Sequence, residues 1–275
     1  MKGNKKLKNA WAFYDWANSV YPLVITTAIF PLFYENYAVH KTILVDGTEN
    51  KIVSFFGWEV INTALVSIVT SGYFLLLCFV LPLLSGIADY AGKKKTFLRS
   101  FCYLGSLACV GLYFFDVNHL ELSMLVFAIA GIGFWSSLVF YNAYLPEIAP
   151  LDEHDSLSAK GFSLGYIGSV ILLVICLILV MSQEGDARAE ATRWCFVFTG
   201  IWWFGFSHLT YYWLPKSNVN NKVDRSVIWN GFKELKLVYG KIKKTVRLKR
   251  YLASFFFVFL TVILKSKFNH WLHFI

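Results

Sequence analysis

The chain has 275 residues, of which 57% are apolar and only 16% charged, and its formal net charge is +9. Soluble domains average about 45–50% apolar and about 25% charged residues, so this composition argues against a soluble globular protein. The positive charge lies in a few short blocks between long apolar runs, which is typical of membrane-protein loops and not of a nucleic-acid-binding surface.

Six apolar runs are long enough for helices that cross a bilayer, whose core of ~30 Å requires ~20 apolar residues. Helices are expected because unpaired backbone groups are not tolerated in lipid, and the runs lack the alternation of β-barrel strands. The predicted spans are Trp11–Ala38, Val60–Leu84, Thr96–Phe115, Leu122–Tyr144, Phe162–Met181 and Trp194–Leu214. The sequence therefore predicts an all-α, multi-pass membrane protein with six transmembrane helices.

The distribution of basic residues predicts the orientation. Twenty of the 26 Lys and Arg residues lie on one side of the six predicted helices, and four lie on the other. Because Lys and Arg accumulate in cytoplasmic loops, we expect the N-terminus and the loop after the sixth helix in the cytoplasm. The even number of crossings agrees with that placement, and the expected location is a bacterial inner (plasma) membrane.

The segment after the sixth helix is strongly basic. Residues 1–214 are expected to form the six-helix domain, and residues 215–250 a cytoplasmic loop. Apolar residues recur in this loop at steps of three and four, at Ile228, Phe232, Leu235, Tyr239, Ile242 and Val246. This spacing predicts a basic amphipathic helix that lies on the cytoplasmic leaflet or against the bundle, with a solvated linker helix as the alternative.

Residues 251–275 begin with a seventh apolar run, Tyr251–Leu264, which ends at Lys265. The run is shorter than a membrane span requires. It predicts an incomplete seventh helix. Either a truncated product or a shifted reading frame near the end would explain it.

The turn between the second and third predicted helices carries the most informative motif. Gly92 can adopt the left-handed conformation that ends a tight turn, and Asp89 can cap a helix or pair with a cation. The motif residues are Ser85, Gly86, Asp89, Gly92, Lys93 and Lys94. They resemble the signature loop of the major facilitator superfamily, although Ser85 stands where that family has glycine. A generic basic turn at the cytoplasmic surface is the alternative.

Three further segments are similar to the vacuolar-effluxer-like branch of that superfamily, which includes the autophagy-related amino-acid effluxers. They are Trp11–Ser19, Tyr141–Ala149 and Gly161–Gly168. The resemblance covers most of residues 11–215. It implies a twelve-helix secondary transporter of small solutes, with amino-acid efflux as the expected activity and this chain as its N-terminal half. The expected partners of the chain are a small solute, a coupled proton, the bilayer, and a second half or a second copy; no cofactor is expected.

Asp15 and Asn18 lie one helical turn apart near the cytoplasmic end of the first predicted helix. An ionisable group at membrane depth is a candidate functional residue, so Asp15 could bind a proton, a cation or a solute amine. Alternatively, Asp15 could pair with Lys93, Lys94 or Arg99 as a structural lock.

Asn62, Asn142 and His208 are further polar residues within or near the predicted spans. Each could line a solute path, or could hydrogen-bond a neighbouring helix, which is worth roughly 0.6 kcal/mol on average. The second role is the commoner one for any single residue.

Gly161, Gly165 and Gly168 form a small-residue stripe on the fifth predicted helix. Such a stripe allows close helix packing and can also act as a rocking surface. Static packing is favoured, because the proline that accompanies such stripes in antiporters of the superfamily is absent.

The sequence argues against an enzyme. It contains no HExxH motif, no paired intramembrane carboxylates at catalytic spacing, and no CxxC pair that would suggest a metal site. The remaining alternatives to a transporter half are an inactive, truncated transporter fragment and a half-transporter that acts as a dimer.

Overall fold

The structure is a computed structural model that describes residues 4–45 and 48–215, together with a few positions between 236 and 254. The chain divides into two units, Met1–Lys222 and Val223–Ile275. In the second unit the described positions, among them Val246 and Ala253, are largely helical. Of the six apolar residues that predict the amphipathic helix, only Val246 is among the described residues, and most of the predicted seventh helix lies outside them.

The first unit opens with a long helical stretch, Lys5–Tyr37, which we call helix 1. It consists of α1 (Lys5–Asn18), a π-helical segment (Tyr21–Ile29) and α2 (Phe30–Tyr37). Asn4 caps its start, since the Asn4 side chain accepts hydrogen bonds from the backbone of the first turn. Pro22 lies at the start of the π-helical segment and Pro31 in the first turn of α2, and the missing N–H groups of these prolines disfavour a regular α-helix.

Helix 1 is followed by a three-stranded antiparallel sheet, and this sheet was not predicted from the sequence. Its strands are β1 (Lys41–Val45), β2 (Thr48–Phe55) and β3 (Trp58–Ile61), in the order β1-β2-β3. Ile52 lies opposite both Lys41 and Ile61 in the register. The described part of the chain is therefore predominantly helical and contains one small sheet.

Six further helices follow the sheet in the described part of the first unit. They are α3 (Asn62–Ala91), α4 (Lys94–Gly111), α5 (Leu120–Asn142), α6 (Leu145–Ile148), α7 (His154–Met181) and α8 (Gly185–Trp213), with 3₁₀ turns at Leu112–Phe114, Val117–His119 and Leu151–Glu153. Several helices extend beyond the predicted apolar runs, because a helix continues into the interfacial region where charged residues are tolerated.

Five helical segments within the described residues are long and apolar enough to cross a membrane. They are Lys5–Tyr37, Asn62–Ala91, Lys94–Phe114, Val117–Ile148 and Leu151–Met181. This confirms a multi-pass, helical membrane protein. The sixth predicted span corresponds to α8, which is long enough but rich in Trp, Tyr and charged residues.

The bundle packs through close helix contacts. α4 packs along α5, and α8 contacts α1, α4 and α7. Where α4 crosses α5, Gly105 faces Gly133, and a methyl group added to Gly133 would overlap the backbone of Gly105. The fully buried indole of Trp203 on α8 fills the space beside Gly105. Small residues thus allow the backbones to approach closely, as is common between membrane helices.

Candidate functional site

A buried carboxylate, that of Asp15, lies in helix 1 where it meets α5 and α7. Asp15 is 4% exposed, and the Tyr141 hydroxyl donates a hydrogen bond of 3.0 Å to its Oδ2. The Tyr141 ring stacks on Trp11 with centroids 4.3 Å apart, and Trp11 Nε1 donates to the Tyr141 carbonyl at 3.0 Å. Trp11 therefore holds Tyr141 through two contacts, and Tyr141 in turn orients the Asp15 carboxylate.

Asp15 opens onto a cavity of about 350 Å³ between helix 1, α5 and α7. The cavity lining combines a carboxylate, an amide and hydroxyls with aromatic rings. The lining residues are Asp15, Asn18, Ser19, Pro22, Leu23, Thr27, Phe134, Trp135, Leu138, Phe162, Tyr166 and Ser169. A cavity of this size with a few convergent polar groups fits a small solute.

Asn18 lines the same cavity and is 1% exposed. Its Oδ1 accepts a hydrogen bond from Ser19 Oγ at 3.5 Å, whereas its Nδ2 has no partner among the described residues. A buried amide donor without a partner is unfavourable unless another group or water pairs with it. Asn18 could therefore donate to a polar group of a molecule in the cavity.

The glycines of α7 bring this helix close to the carboxylate. A methyl group on Gly161 would overlap Asp15 Oδ2, one on Gly165 would overlap Ser19 Oγ, and one on Gly168 would press on Trp16. The stripe of Gly161, Gly165 and Gly168 thus faces helix 1 along one side of the site.

The alternative pairing of Asp15 with Lys93, Lys94 or Arg99 is not observed. Within residues 4–45 and 48–215, Asp15 forms no ion pair. Lys94 pairs with other carboxylates, and the Arg99 guanidinium lies 5.8 Å from the centroid of the Tyr211 ring. The partner of Asp15 is instead the neutral hydroxyl of Tyr141.

The motif predicted as a signature loop forms the turn between α3 and α4. Gly92 ends α3 in the left-handed conformation with φ 65°, and its N–H bonds to the carbonyls of Ala88 and Asp89. Gly86 is buried and Ser85 half-buried in the last turns of α3, while Lys93 is exposed. This is the turn geometry that the sequence predicts for a glycine at position 92.

Lys94 links this loop to the segment after α5. Its Nζ lies 2.9 Å from Asp89 Oδ1 and 2.6 Å from Glu147 Oε1. The Lys94 side chain is only 21% exposed, so these ion pairs are partly shielded from water. Lys94 therefore tethers the loop between α3 and α4 to the short helix α6.

We expect Lys94→Gln to lower the free energy of unfolding by about 1 kcal/mol, because one partly shielded ammonium serves two carboxylates. The matched control is Lys93→Gln, since the Lys93 side chain is exposed and pairs with no carboxylate in the described part of the chain. Unfolding by sodium dodecyl sulfate, followed by circular dichroism, measures the difference. Equal effects of the two substitutions would show that the tether contributes no stability.

The other three polar candidates lie apart from the cavity. Asn62 is buried at the start of α3, where its Nδ2 donates to the Ala38 carbonyl at 3.4 Å. Asn142 is exposed at the end of α5. His208 lies on α8, and its Nε2 is 3.0 Å from the Tyr103 hydroxyl of α4. Asn62 and His208 thus make contacts between neighbouring segments, and none of the three lines the Asp15 cavity.

Two residues of the site had no role in the sequence analysis, namely Tyr141 and Glu147. Both lie in the segment Tyr141–Ala149, which was used only for its resemblance to a family. Their partners, Asp15 and Lys94, lie 126 and 53 residues away in the chain. A pattern in one sequence does not reveal contacts at such separations.

Comparison with known proteins identifies the family. The family model described as vacuole effluxer Atg22 like matches residues 3–156 and 149–263. The chain belongs to this Atg22-like family. The two matched ranges together include Asp15, the loop between α3 and α4, Tyr141 and the α7 glycines.

Curated relatives of this Atg22-like chain are longer than the chain itself. The uncharacterized MFS-type transporter YxiO of Bacillus subtilis is 30% identical over 268 residues, which are 94% of this chain and 58% of the relative. Autophagy-related protein 22 of Coccidioides immitis is 22% identical, over 77% of this chain and 48% of the relative. Autophagy-related protein 22-2 of Neosartorya fischeri is 24% identical, over 65% of this chain and 40% of the relative. The chain thus spans about half the length of these relatives, and no solved structure matches it.

Proposed function

We propose that this Atg22-like chain supplies the N-terminal, six-helix half of a secondary transporter that moves small solutes by alternating access. Amino-acid efflux is the proposed activity of the twelve-helix protein. The observation that carries the proposal is the Asp15 cavity, because it places a carboxylate and an unpaired amide at membrane depth in a multi-pass bundle. The relative named as an MFS-type transporter supports the same activity class.

In this proposal α8 is the sixth span. Its 29 residues exceed the ~20 that a bilayer core requires, and it contacts α1, α4 and α7 in the bundle. Of its Trp and Tyr residues, Trp203 and Tyr211 are buried in the bundle, whereas Trp194, Tyr212 and Trp213 are exposed near the ends of the predicted span, where aromatic rings favour the membrane interface. Six crossings place the N-terminus and the loop after α8 on the same side, and the excess of basic residues there favours the cytoplasm of a bacterial inner membrane.

The Asp15 carboxylate is the proposed site for the solute or for a coupled proton. Ionisable residues within membrane spans face cavities or protein partners, because a lone charge in lipid is costly. The cavity opens beside the exposed rings of Phe162 and Tyr166 on α7. We propose that a second half, or a second copy of this chain, covers this opening and completes the solute site.

The tether from Lys94 to Asp89 and Glu147 is the proposed gating contact at the cytoplasmic end. The tether joins the loop between α3 and α4 to the segment after α5, so these ends move together while it is intact. Release of the tether would allow the two ends to separate during a transport cycle.

The proposed transport function can be tested with a chimera in which residues 1–214 of this chain replace the matching part of the Bacillus relative. Counterflow of radiolabelled amino acids in proteoliposomes is the measurement. We expect exchange by the chimera, because this chain would supply its half of the solute site. The proposal fails if the unmodified relative exchanges the solutes and the correctly inserted chimera does not.

The same assay on the 275-residue chain alone separates the remaining alternatives. We expect no exchange, because one six-helix half leaves the cavity open to the side. Exchange by the chain alone would instead support a half-transporter that works as a dimer.

A further inference from the structure

The turn between β2 and β3 carries two large aromatic side chains on the outside of the protein. Phe56 is 72% exposed and Trp58 is 76% exposed, whereas the neighbouring Phe55 packs against the core. The sheet connects the end of helix 1 to the start of α3. Since helix 1 crosses the bilayer, this turn lies at the membrane face opposite the N-terminus.

The backbone of this turn is unusual for a phenylalanine. Phe56 has φ 50° and Gly57 has φ 79°. Two consecutive positive φ values characterise a type I′ turn, in which Asn, Asp or Gly is preferred at the first position. A bulky residue in the left-handed region is strained, and such strain often marks a functional position. The aromatic ring at position 56 therefore stands where the turn geometry disfavours it.

Contacts hold the turn beside two membrane-spanning helices. The Phe56 N–H donates a hydrogen bond of 2.8 Å to Glu121 Oε1, in the first turn of α5. The next residue of α5, Leu122, is also largely exposed. Trp58 precedes the first residue of α3 by only four positions. The exposed aromatic pair thus continues the apolar outer surface of α3 and α5 where these helices leave the membrane.

We propose that the turn Phe56–Trp58 inserts into the headgroup region of the lipid leaflet opposite the N-terminus and fixes the depth of the sheet. Trp and other aromatic rings favour this interfacial region, because it accepts an apolar ring together with a polar edge. The occupant is lipid because the aromatic pair is uncharged and continuous with the surface that spans the membrane. The inference does not depend on transport activity.

The test uses nitroxide labels on the 275-residue chain in phosphatidylcholine liposomes. Cys78, which is exposed, is replaced by Ser; the other four cysteines are buried. A label on Phe56→Cys is compared with one on Glu49→Cys, an exposed position of β2 away from the turn. We expect the label at 56 to be accessible to oxygen and protected from a water-soluble nickel chelate, and the label at 49 to show the reverse.

Two outcomes would overturn the proposal. Equal access of nickel chelate to both labels would place the turn in water, and protection of the label at 56 from both reagents would indicate a protein partner. The variant Phe56→Asn suits the turn and keeps the sheet, so it serves as a second test. With a nitroxide label on Trp58→Cys, we expect Phe56→Asn to make this label less accessible to oxygen and more accessible to the nickel chelate. An unchanged ratio of the two accessibilities would contradict anchoring by Phe56.

Discussion

Gly133→Ala is expected to destabilise the helix bundle by at least about 2 kcal/mol, because overpacking of a tight interface typically costs this much. The added methyl group would overlap the Cα and N atoms of Gly105 and approach the carbonyl of Phe101. These obstacles are backbone atoms, so no change of side-chain rotamer can relieve the overlap. The helices α4 and α5 would have to move apart, and the packing of Trp203 beside Gly105 would be lost.

Gly72→Ala is the matched control for this prediction. Gly72 also lies within a membrane-spanning helix, but a methyl group added there meets nothing within 4 Å. We expect Gly72→Ala to leave the free energy of unfolding unchanged or to raise it, since alanine favours helix over glycine. Unfolding in sodium dodecyl sulfate measures both variants. A loss of stability of equal size in the two variants would contradict the close approach of α4 and α5.

Asp15→Asn is expected to lower transport by the chimera at least about tenfold, equivalent to about 1.4 kcal/mol of activation free energy. Asparagine has nearly the same shape and still accepts a hydrogen bond from Tyr141, so the fold should be preserved. Asparagine carries no charge and binds no proton, so transport that depends on the charge or on the proton of Asp15 would be lost. Any pH dependence of transport that arises from Asp15 should disappear as well.

The control for Asp15→Asn is Asp155→Asn, which removes an exposed carboxylate in the first turn of α7. Initial rates of counterflow across a range of pH, together with the unfolding midpoint, separate function from stability. Normal rates with normal pH dependence in Asp15→Asn would assign Asp15 a structural role. If Asp15→Asn loses stability, and its counterflow rate falls only as far as that loss explains, the conclusion would be the same.

The helices of the bundle could be predicted from the sequence because the bilayer leaves few alternatives. An apolar run such as Leu122–Tyr144 must be helical in lipid, and α5 covers Leu120–Asn142. The predicted ends of the helices were less accurate where charged residues continue a helix into the membrane interface. Thus α7 begins at His154 and not at Phe162.

The sheet could have been found from local signals that composition hides. Asp46-Gly47 is a dipeptide typical of tight hairpin turns, and it separates two β-rich segments. No long apolar run marks this stretch, because its residues are mixed in polarity.

The contacts of the candidate site could not be predicted, because they join distant parts of the chain. Asp15 was selected as an ionisable residue at membrane depth, but its partner Tyr141 lies on another helix. The close approach of Gly105 to Gly133 likewise joins two different helices, α4 and α5. Such contacts depend on how the helices cross, which a periodic pattern in one sequence does not specify.

The accessibility of the Asp15 cavity to water tests the central claim most directly. Thr27→Cys places a thiol on the cavity wall, and Ile201→Cys places one in the apolar groove between α7 and α8. Both are made in the chimera, with Cys78 replaced by Ser, and are exposed to a membrane-impermeant thiol reagent. We expect Thr27→Cys to react, transported solute to slow that reaction, and Ile201→Cys to stay unmodified. If Thr27→Cys is as unreactive as Ile201→Cys, the cavity faces lipid and is not a solute path.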